Sequence, residues 1–548
     1  MALKYLYVPS GVQENKAYGV LPNSANADFS SFSRSSAGSR VDKNGFINTG
    51  LGLGNEEVVD GGFDNASSWV TTVATISNSR AIFIDGTGAY SNVRQGGVLT
   101  INKTYEVTID VVINSGGGLK IQDGNGNTYK QITESGVYTF RFTSIGASSS
   151  FYIARNQGGV AYDMYVERVS VREVTEVNTD VPRIDHTGGG CPSLLLEPTS
   201  TNYIQYSEDF TQSSWGKGSI VSVSEESILS PQGTLGAYKV NANGTGNTFV
   251  RDLFSASAQT YTTSFFIKKG NHRYIGIRGL INVSGNDHIV FDFDTESVIV
   301  PSNISSSSEY VSSGYEPYKN GWFKVYVTIS VASAQSRYAG VCVSNSTGSE
   351  SGTFSDAYFY VTDAQLEPLS YATSYIPNYG TAAGVTRSAD DGNGTGDISS
   401  AINEQEGVFF INSACSTSEA ISTPQWISLS EDSSNNSYIS IRYNTSANSV
   451  QIRYQANGGS AVSISTTSID RSNFNKIAFR WKANDFSLWI NGSLIQTQTT
   501  WDIITANNLN RLSLELPSGG QNLYGKVREI RIYDEYESDS EMAKLTTL

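Results

Sequence analysis

The chain has 548 residues, which at roughly 100–200 residues per domain predicts several hydrophobic cores rather than one. Charged residues make up only 16% of the chain, while 52 glycines, 31 tyrosines and 23 phenylalanines favour strands and turns and leave little room for helices. The formal net charge of −15 disfavours nucleic acid as a partner, because phosphate binding needs a positive surface.

The cysteines and histidines are few and scattered: Cys191, Cys342, Cys415, His186, His272 and His288. No cysteine pair has the C-x-x-C spacing of a metal or redox site, and no two histidines form a metal-binding pair on one face. We therefore expect plain thiols and surface or loop histidines. The chain contains no run of about 18 apolar residues, so we expect no membrane insertion.

Residues 1–56 contain many Gly, Ser, Asn and Asp residues and predict a few short strands joined by turns. Lys43–Gly45 is a strong hairpin signal, because Asn and Gly both tolerate positive φ. A piece of this kind cannot bury a core alone. We expect it to pack against another domain, another chain or a larger particle, and a simple ordered leader is the alternative.

The first module, residues 57–175, contains short runs with partial period-2 alternation, such as YEVTIDVVI and GVYTFRFTS, separated by Gly-rich or polar turns. This spacing predicts a two-sheet sandwich. A connector at residues 176–204 follows, and its Leu194–Leu196 triplet should anchor it to a neighbouring core.

The second module, residues 205–380, begins with YSEDFTQSSW, which resembles DGGFDNASSW at the start of the first module. The echo predicts two sandwiches of similar build, with Trp69 and Trp215 in their cores. A Gly- and Asp-rich linker at residues 381–398 separates them from the C-terminal module.

The C-terminal module, residues 399–548, contains a clear hairpin in IAFRWKANDFSLWING. Ile477, Phe479 and Trp481 alternate with polar residues, and the alternation resumes after a turn at residues 483–485. DSEMAKL at the end predicts a short helix capped by Ser538 or Asp539. The predicted fold class is all-β, with serial jelly-roll and concanavalin-like sandwiches behind a short N-terminal segment.

An ordered series of motifs runs along the chain: FSRSSAGSRVDKNGFI, then PRIDHTGGGCPSLLLEPTSTNYI, NGWFKVYVTI, DAQLEPLSYATSYIPNYG and VTRSAD. The series resembles a family of fibre and minor structural proteins of tailed bacteriophages. That resemblance implies a protein of the virion surface, attached to other virion proteins through residues 1–56. The N-terminus MALKYLYVPSG lacks the apolar stretch of a secretory signal, as expected of a virus released by lysis, although a bacterial protein exported by another signal would show the same pattern.

The first module resembles jelly-roll carbohydrate-binding modules, on the stretch Gly61–Asp64 with Trp69 and on the final strand Val166–Val171. Such modules commonly hold a structural calcium ion, which needs oxygen ligands. The resemblance implies Asp64 and Glu167 as ligands, although a Glu stands where the family has Asp. Two solvated carboxylates are the alternative.

The C-terminal module is similar to concanavalin-like laminin-G sandwiches, on residues 476–492 and on YGKVREIRIYD followed by Glu541. Sugar binding by sandwiches usually depends on outward aromatic rings with polar neighbours. Strand alternation predicts four outward candidates for a glycan-binding face: Tyr438, Arg442, Arg453 and Trp489. Cross-strand pairing or a contact with another subunit is the alternative for these residues.

No nucleophile motif, H-E-x-x-H motif or phosphate loop occurs, and acidic pairs such as Asp390-Asp391 lie in turn-rich sequence, so we expect no catalytic residues and no enzyme. The predicted function is adhesion to host-surface glycans by a phage head or tail fibre. The alternatives are a purely structural virion component and a bacterial surface glycan-binding protein. A homo-oligomer is expected, with a trimer favoured because fibres usually assemble with threefold symmetry.

Overall fold

The computed structural model describes residues 3–9, 17–21, 24–28, 32–282, 287–392, 394–417, 421–431, 435–505 and 508–548. Over these residues the chain is almost entirely strand and turn, which confirms the all-β fold class. No helix among the described residues is long and apolar enough to cross a membrane.

The described parts of residues 1–56 and of the first module contain seventeen strands. Those of the N-terminal segment are β1 (Leu3–Tyr7), β2 (Tyr18–Leu21), β3 (Ser24–Asp28), β4 (Phe32–Ser33), β5 (Arg40–Val41), β6 (Ile47–Asn48) and β7 (Leu51–Glu56). Those of the first module are β8 (Val70–Thr72), β9 (Thr75–Ser77), β10 (Arg80–Asp85), β11 (Asn92–Gln95), β12 (Thr104–Ser115), β13 (Leu119–Asp123), β14 (Thr128–Ile132), β15 (Gly136–Thr143), β16 (Phe151–Arg155) and β17 (Tyr162–Glu176).

The connector contains β18 (Arg183–Asp185), β19 (Ser193–Leu196) and β20 (Ser200–Asn202). The second module contains β21 (Gly216–Lys217), β22 (Val221–Leu229), β23 (Leu235–Asn247), β24 (Phe249–Ala256), β25 (Thr260–Lys269), β26 (Tyr274–Gly279), β27 (Ile289–Asp292), β28 (Ser297–Ile299), the short helix α1 (Ser302–Ser305), β29 (Tyr310–Tyr318), β30 (Trp322–Ser330), β31 (Gln335–Val343) and β32 (Ser351–Glu367).

The remaining elements are β33 (Val385–Arg387), β34 (Asp391–Gly392), β35 (Glu406–Cys415), β36 (Gln425–Ser430), β37 (Tyr438–Tyr443), β38 (Val450–Gln455), β39 (Val462–Thr466), β40 (Asn475–Lys482), β41 (Asp485–Ile490), β42 (Ser493–Gln498), β43 (Arg511–Ser513), β44 (Gly525–Tyr533) and the helix α2 (Asp539–Thr546). As predicted, α2 is capped by Ser538, whose hydroxyl accepts a hydrogen bond from the Glu541 backbone N–H.

Each of the first two modules is a two-sheet sandwich with its own core. In the first module the sheet β15-β12-β17-β10-β9 faces the sheet β14-β13-β16-β11-β8. In the second module β21-β24-β31-β26-β27-β28 faces β22-β23-β32-β25-β30-β29. Trp69 and Trp215 are buried in these cores as predicted. Their indole N–H groups donate to equivalent backbone carbonyls, those of Asp60 and Tyr206, at 3.0 Å in both modules. The repeated start of the modules is therefore a repeated piece of structure.

The C-terminal module packs the sheet β39-β38-β37-β36-β43 against a ten-stranded sheet. The predicted hairpin is confirmed, because β40 and β41 pair in the register Ile477↔Ile490. The ten-stranded sheet also contains strands from outside the module: β1 and β19 both pair with β44. The side chains of Tyr5 and Tyr7 lie in the C-terminal core, with at most 1% of their surface exposed. The N-terminal segment is thus joined to the most distant module of the chain.

Five buried charged residues, which we call the central ion network, tie the chain together: Arg34, Arg183, Glu197, Arg387 and Asp390. Arg34 contacts Asp390 at 2.8 Å. Arg183 bridges Asp390 and Glu197, and Arg387 contacts Glu197 at 2.7 Å. Burial alone would raise the pKa of Glu197. The positive charges of Arg387 and Arg183 nevertheless hold this pKa well below its usual value.

The central ion network draws on nearly every motif of the ordered series. Its residues come from the N-terminal segment, the connector and the predicted linker, and Ser374 of the second module donates its hydroxyl to Glu197 at 2.6 Å. The connector and the predicted linker, whose composition is typical of flexible segments, therefore have buried charged residues at the point where the modules meet. Their Gly and Asp residues shape turns around fixed charges rather than providing a mobile tether.

Candidate functional site

Three of the four predicted glycan-binding residues share one surface, the outer face of the sheet β39-β38-β37-β36-β43. Tyr438 and Arg442 lie on β37 and Arg453 lies on β38. Gln451 is directly opposite Arg442, so Arg453 is its diagonal neighbour on the same face. The two arginines are partly exposed, but Tyr438 is only 3% exposed and offers no open ring face to a sugar.

The structure corrects the expectation for Trp489. This side chain does point away from the apolar face of its hairpin, as strand alternation indicates. However, α2 packs over it, and Met542 and Leu545 join it in a small separate core. Trp489 is 5% exposed and lies on the opposite sheet from Arg442, so it belongs to the interior and not to a glycan-binding face.

The sequence analysis missed Trp426, which lies opposite Arg442 on the neighbouring strand β36. The Arg442 guanidinium stacks over the Trp426 ring at 4.6 Å from its centroid. The Trp426 and Tyr438 rings meet edge to face with centroids 6.0 Å apart. The alternation in QWISLS places Trp426 opposite to Ile427 and Leu429, so the same rule that selected Tyr438 could have found it.

The calcium site implied at Asp64 and Glu167 does not fit the contacts of these residues. Asp64 accepts a hydrogen bond from the Ser79 hydroxyl at 2.6 Å, and Glu167 forms a 3.1 Å ion pair with Arg80. A cation at Glu167 would have to displace or repel that guanidinium. The two residues therefore form ordinary surface contacts.

The equivalent position in the second module carries a different pair of residues. The Val169 N–H donates to the Gly61 carbonyl in the first module, as the Ala364 N–H donates to the Ser207 carbonyl in the second. In the second module Glu208 follows Ser207 and Asp363 precedes Ala364. The corresponding residues of the first module are Gly62 and Arg168.

Asp363 is fully buried with positive φ, and its Oδ2 has no hydrogen-bond partner among the described residues. The Gln232 amide donates both to Asp363 Oδ1, at 3.1 Å, and to Glu208 Oε1, at 2.8 Å. Burial, and then the charge of Glu208, raise the pKa of Asp363 well above its usual value. An orphaned carboxylate oxygen beside a second carboxylate suits a hard cation such as calcium.

A cleft of about 380 Å³ lies between the first and second modules, and no sequence pattern predicted it. We call it the inter-module cleft. Contacts that join its two walls include a hydrogen bond from the Thr143 N–H to the Tyr379 carbonyl at 2.7 Å, a 2.6 Å ion pair between Lys130 and Glu225, and a hydrogen bond from Gln212 to the Tyr129 carbonyl. Its aromatic lining consists of Tyr129, Phe140, Phe142, Tyr206, Tyr238 and Tyr379.

The charged groups of the inter-module cleft are mainly carboxylates. Its charged lining residues are Glu106, Glu208, Asp209, Glu225, Lys130 and Arg141, which leaves an excess of negative charge. Arg141 donates to Glu106 at 2.9 Å and to the Tyr379 hydroxyl at 2.9 Å. Burial alone would raise the pKa of Asp209. The charge of Lys130 and hydrogen bonds from Thr211 and Gln212 nevertheless lower this pKa below its usual value, so Asp209 is an acceptor at neutral pH.

His288 is not the surface or loop histidine that the sequence predicts, since it is 1% exposed. Its ring lies between Asp287 and Glu350, with ligand-type atoms of the three residues within 4.8 Å of one another. Burial alone would lower the pKa of His288. Its neighbours Cys342 and Asp287 nevertheless raise this pKa to about 10, so the ring is cationic at neutral pH. The Asp287 carboxylate lies 2.8 Å and the Glu350 carboxylate 3.7 Å from the ring nitrogens, so the cluster is an ion network around a buried histidine of the second module.

A protein-family model matches part of the C-terminal module. Residues 410–543 match the family model described as the Concanavalin A-like lectin/glucanases superfamily. No curated protein matches the chain.

Several solved structures are similar to parts of the chain. One is the Ruminococcus gnavus IT-sialidase CBM40 bound to α2,3 sialyllactose, with 17% identity over 28% of this chain and 93% of that chain and a TM-score of 0.24. Another is the CBM22-1-CBM22-2 tandem domain of Paenibacillus barcinonensis Xyn10C, with 14% identity over 58% of this chain and 97% of that chain and a TM-score of 0.20. Similarity at this level carries no argument about ligands. The family match and the sheet arrangement together give the C-terminal module a concanavalin A-like sandwich fold.

Proposed function

We propose that this protein is a glycan-binding adhesion protein and that the inter-module cleft binds a neutral sugar. The observation that carries the proposal is the combination, in one cleft, of aromatic rings and carboxylates. Sugars present apolar C–H faces that pack on aromatic rings and hydroxyl groups that donate to carboxylates. A volume of about 380 Å³ lies within the range of small-ligand sites.

The charge of the cleft narrows the class of ligand. Because carboxylates outnumber cations in the lining, an acidic sugar would be repelled, whereas hydroxyl groups find acceptors. Asp209 and Glu208 are acceptors on the second-module wall of the cleft, and Tyr206 provides a partly buried ring beside them. The family resemblance of residues 410–543 to lectins and glucanases is in keeping with a sugar-binding protein, although it lies in another module.

Tyr206→Ala and Glu208→Gln are expected to weaken the binding of neutral oligosaccharides at least roughly tenfold, because each removes a ring or an acceptor of the cleft. The measurement is a neutral-glycan array followed by titration calorimetry on the glycans that bind. The matched controls are Tyr203→Ala and Glu226→Gln. Tyr203 is a partly buried tyrosine, Glu226 follows the cleft residue Glu225 on β22, and neither control residue lines the cleft.

Unchanged affinity in both cleft variants, or no neutral glycan bound by the wild type, would reject the cleft as the site. The proposal is for binding without catalysis. Shortened oligosaccharides appearing during the titration would contradict that part and favour a hydrolase using the cleft carboxylates.

The structural calcium implied by the jelly-roll resemblance is proposed to be held by Glu208 and Asp363 rather than by Asp64 and Glu167. Calcium is expected to raise the melting temperature of the wild type, because a bound cation relieves the repulsion between the buried Asp363 carboxylate and the half-buried Glu208 carboxylate. Asp363→Asn should abolish the calcium response, and it should also be more stable than the metal-free wild type, since Asn tolerates positive φ and lacks the charge. The measurement is thermal unfolding with calcium and with a chelator.

Asp64→Asn is the control for the calcium response, and it should keep the full shift. A wild type whose unfolding ignores calcium would contradict the proposal, and so would a response lost in Asp64→Asn but kept in Asp363→Asn.

The ordered motif series supports a finer proposal, that the protein lies on the surface of a tailed-phage virion as a head or tail fibre and assembles as a homo-oligomer. Residues 1–56 would provide the contact with other virion proteins. Imaging of labelled particles tests the location, and light scattering of the purified chain tests the trimer. A chain encoded far from phage genes would favour the alternative of a bacterial surface protein, and a virion protein that binds no glycan would favour a purely structural role.

A further inference from the structure

The outer face of the sheet β39-β38-β37-β36-β43 carries two neighbouring arginines, Arg442 and Arg453. Arg442 and Arg453 are diagonal neighbours on adjacent strands, a relation that places Cα atoms about 7–8 Å apart. Among the described residues no Asp or Glu forms an ion pair with either guanidinium.

The environment of Arg442 is itself unfavourable to its charge. Burial, and then the nearby charge of Arg453, lower the pKa of Arg442 to about 10. The Nε atoms of both arginines are buried and have no hydrogen-bond partner among the described residues. Arg442 donates one hydrogen bond to the Gln451 side chain, which leaves most of the donors of the pair unused.

The aromatic residues on this face are not available for stacking on a neutral sugar. Trp426 is 4% exposed, and the Arg442 guanidinium already covers its ring. The Trp426 indole N–H donates to the Gln521 side chain at 2.9 Å, so its polar edge is also occupied. The guanidinium groups of Arg442 and Arg453 are partly exposed, so their donors remain open to a ligand on this face.

We infer that Arg442 and Arg453 bind the carboxylate or sulfate group of an acidic glycan. An anion between the two guanidinium groups would remove their mutual repulsion and accept the hydrogen bonds that they lack, in the fork geometry that suits arginine. The sugar identity of this ligand rests on the proposed glycan-binding function, whereas its negative charge rests on the arginine pair alone. The protein would then have two sites of opposite selectivity, a neutral-sugar cleft and an anionic-sugar face.

The test uses the full chain and a glycan array in which each carboxylated or sulfated oligosaccharide is printed beside its uncharged counterpart, the methyl ester or the unsulfated sugar. We expect the wild type to bind the acidic member of at least one pair and to lose that binding as salt is raised. Arg453→Gln and Arg442→Gln should each weaken it by at least roughly tenfold. Carboxylated and sulfated probes in separate pairs distinguish the two kinds of acidic group.

Arg528→Gln is the matched control, because Arg528 lies on the other sheet of the same module and also stacks on an aromatic ring, that of Phe474, at 3.6 Å. It should bind the acidic probes as the wild type does. Among the described residues the Arg453 side chain forms no hydrogen bond or ion pair, so Arg453→Gln should unfold at the wild-type temperature or above it. Measuring this temperature separates a loss of binding from a loss of folding.

Equal binding of acidic and uncharged partners, or unchanged binding by both arginine variants, would overturn the inference. If neutral glycans still bind through the inter-module cleft while no acidic probe binds, only the anionic site is overturned. If no glycan of either kind binds, the proposed function is overturned with it.

Discussion

Asp390→Asn is expected to lower the free energy of unfolding by about 3–5 kcal/mol, the cost of leaving buried charges unpaired. Asp390 accepts from Arg34 and Arg183 and is completely buried, so the isosteric amide would leave two guanidinium groups facing a neutral side chain. Because these residues come from separate segments, the loss should loosen the N-terminal segment and the connector together. Urea-induced unfolding measures the change.

The control for this variant is Glu173→Gln, which removes a carboxylate from the more exposed ion pair with Lys103. That pair should contribute less than about 1 kcal/mol. If the two variants lose comparable amounts of unfolding free energy, the central ion network contributes no more to stability than an exposed ion pair, which contradicts the prediction.

The same network predicts how stability depends on pH. The pKa of Glu197 is lower in the folded chain than its usual value of 4.5, so its contribution is complete above about pH 4.5 and is lost as the pH falls below that value. Glu197→Gln should be less stable than the wild type at neutral pH and should lack this part of the acid-induced loss.

Tyr5→Ala is expected to lower the free energy of unfolding by about 3–5 kcal/mol, the usual cost of deleting a large buried aromatic ring. Tyr5 has none of its surface exposed and lies on β1, which pairs with the last long strand of the chain. The effect should appear in the unfolding of the C-terminal module, although the residue is near the N-terminus. Chemical denaturation followed by tryptophan fluorescence measures it, since Trp481 lies in the same core.

Tyr5→Phe is the matched control, because it keeps the ring and removes a buried hydroxyl that has no hydrogen-bond partner among the described residues. It should be close to neutral or slightly stabilising. A large loss in Tyr5→Phe, or none in Tyr5→Ala, would contradict this account of β1.

This prediction also changes how the proposed virion attachment should be tested. Deleting residues 1–56 would remove β1 from the C-terminal sheet and Arg34 from the central ion network, so loss of incorporation could reflect misfolding alone. Substitutions at exposed positions of the segment, such as Lys43→Ala or Asn44→Ala, are better probes of a partner contact.

Short-range patterns determined much of this protein. Period-2 alternation predicted the hairpin of β40 and β41 and placed Tyr438, Arg442 and Arg453 on one face, because the direction of a side chain in a strand depends only on its position along that strand. The repeated module start predicted the buried Trp69 and Trp215. The capping pattern of the final helix was equally local.

Only the tertiary structure decided what covers each face. Trp489 points outward by alternation, yet a helix that begins about fifty residues later packs over it. Arg34 and Asp390 form a buried pair although 356 residues separate them. The inter-module cleft is formed by two modules that meet, and the carboxylates that line it come from strands and turns of both modules. Alternation and turn signals act over a few residues, whereas burial, ion pairing and cavity shape depend on which distant segments come together, so these properties could not be derived from local sequence.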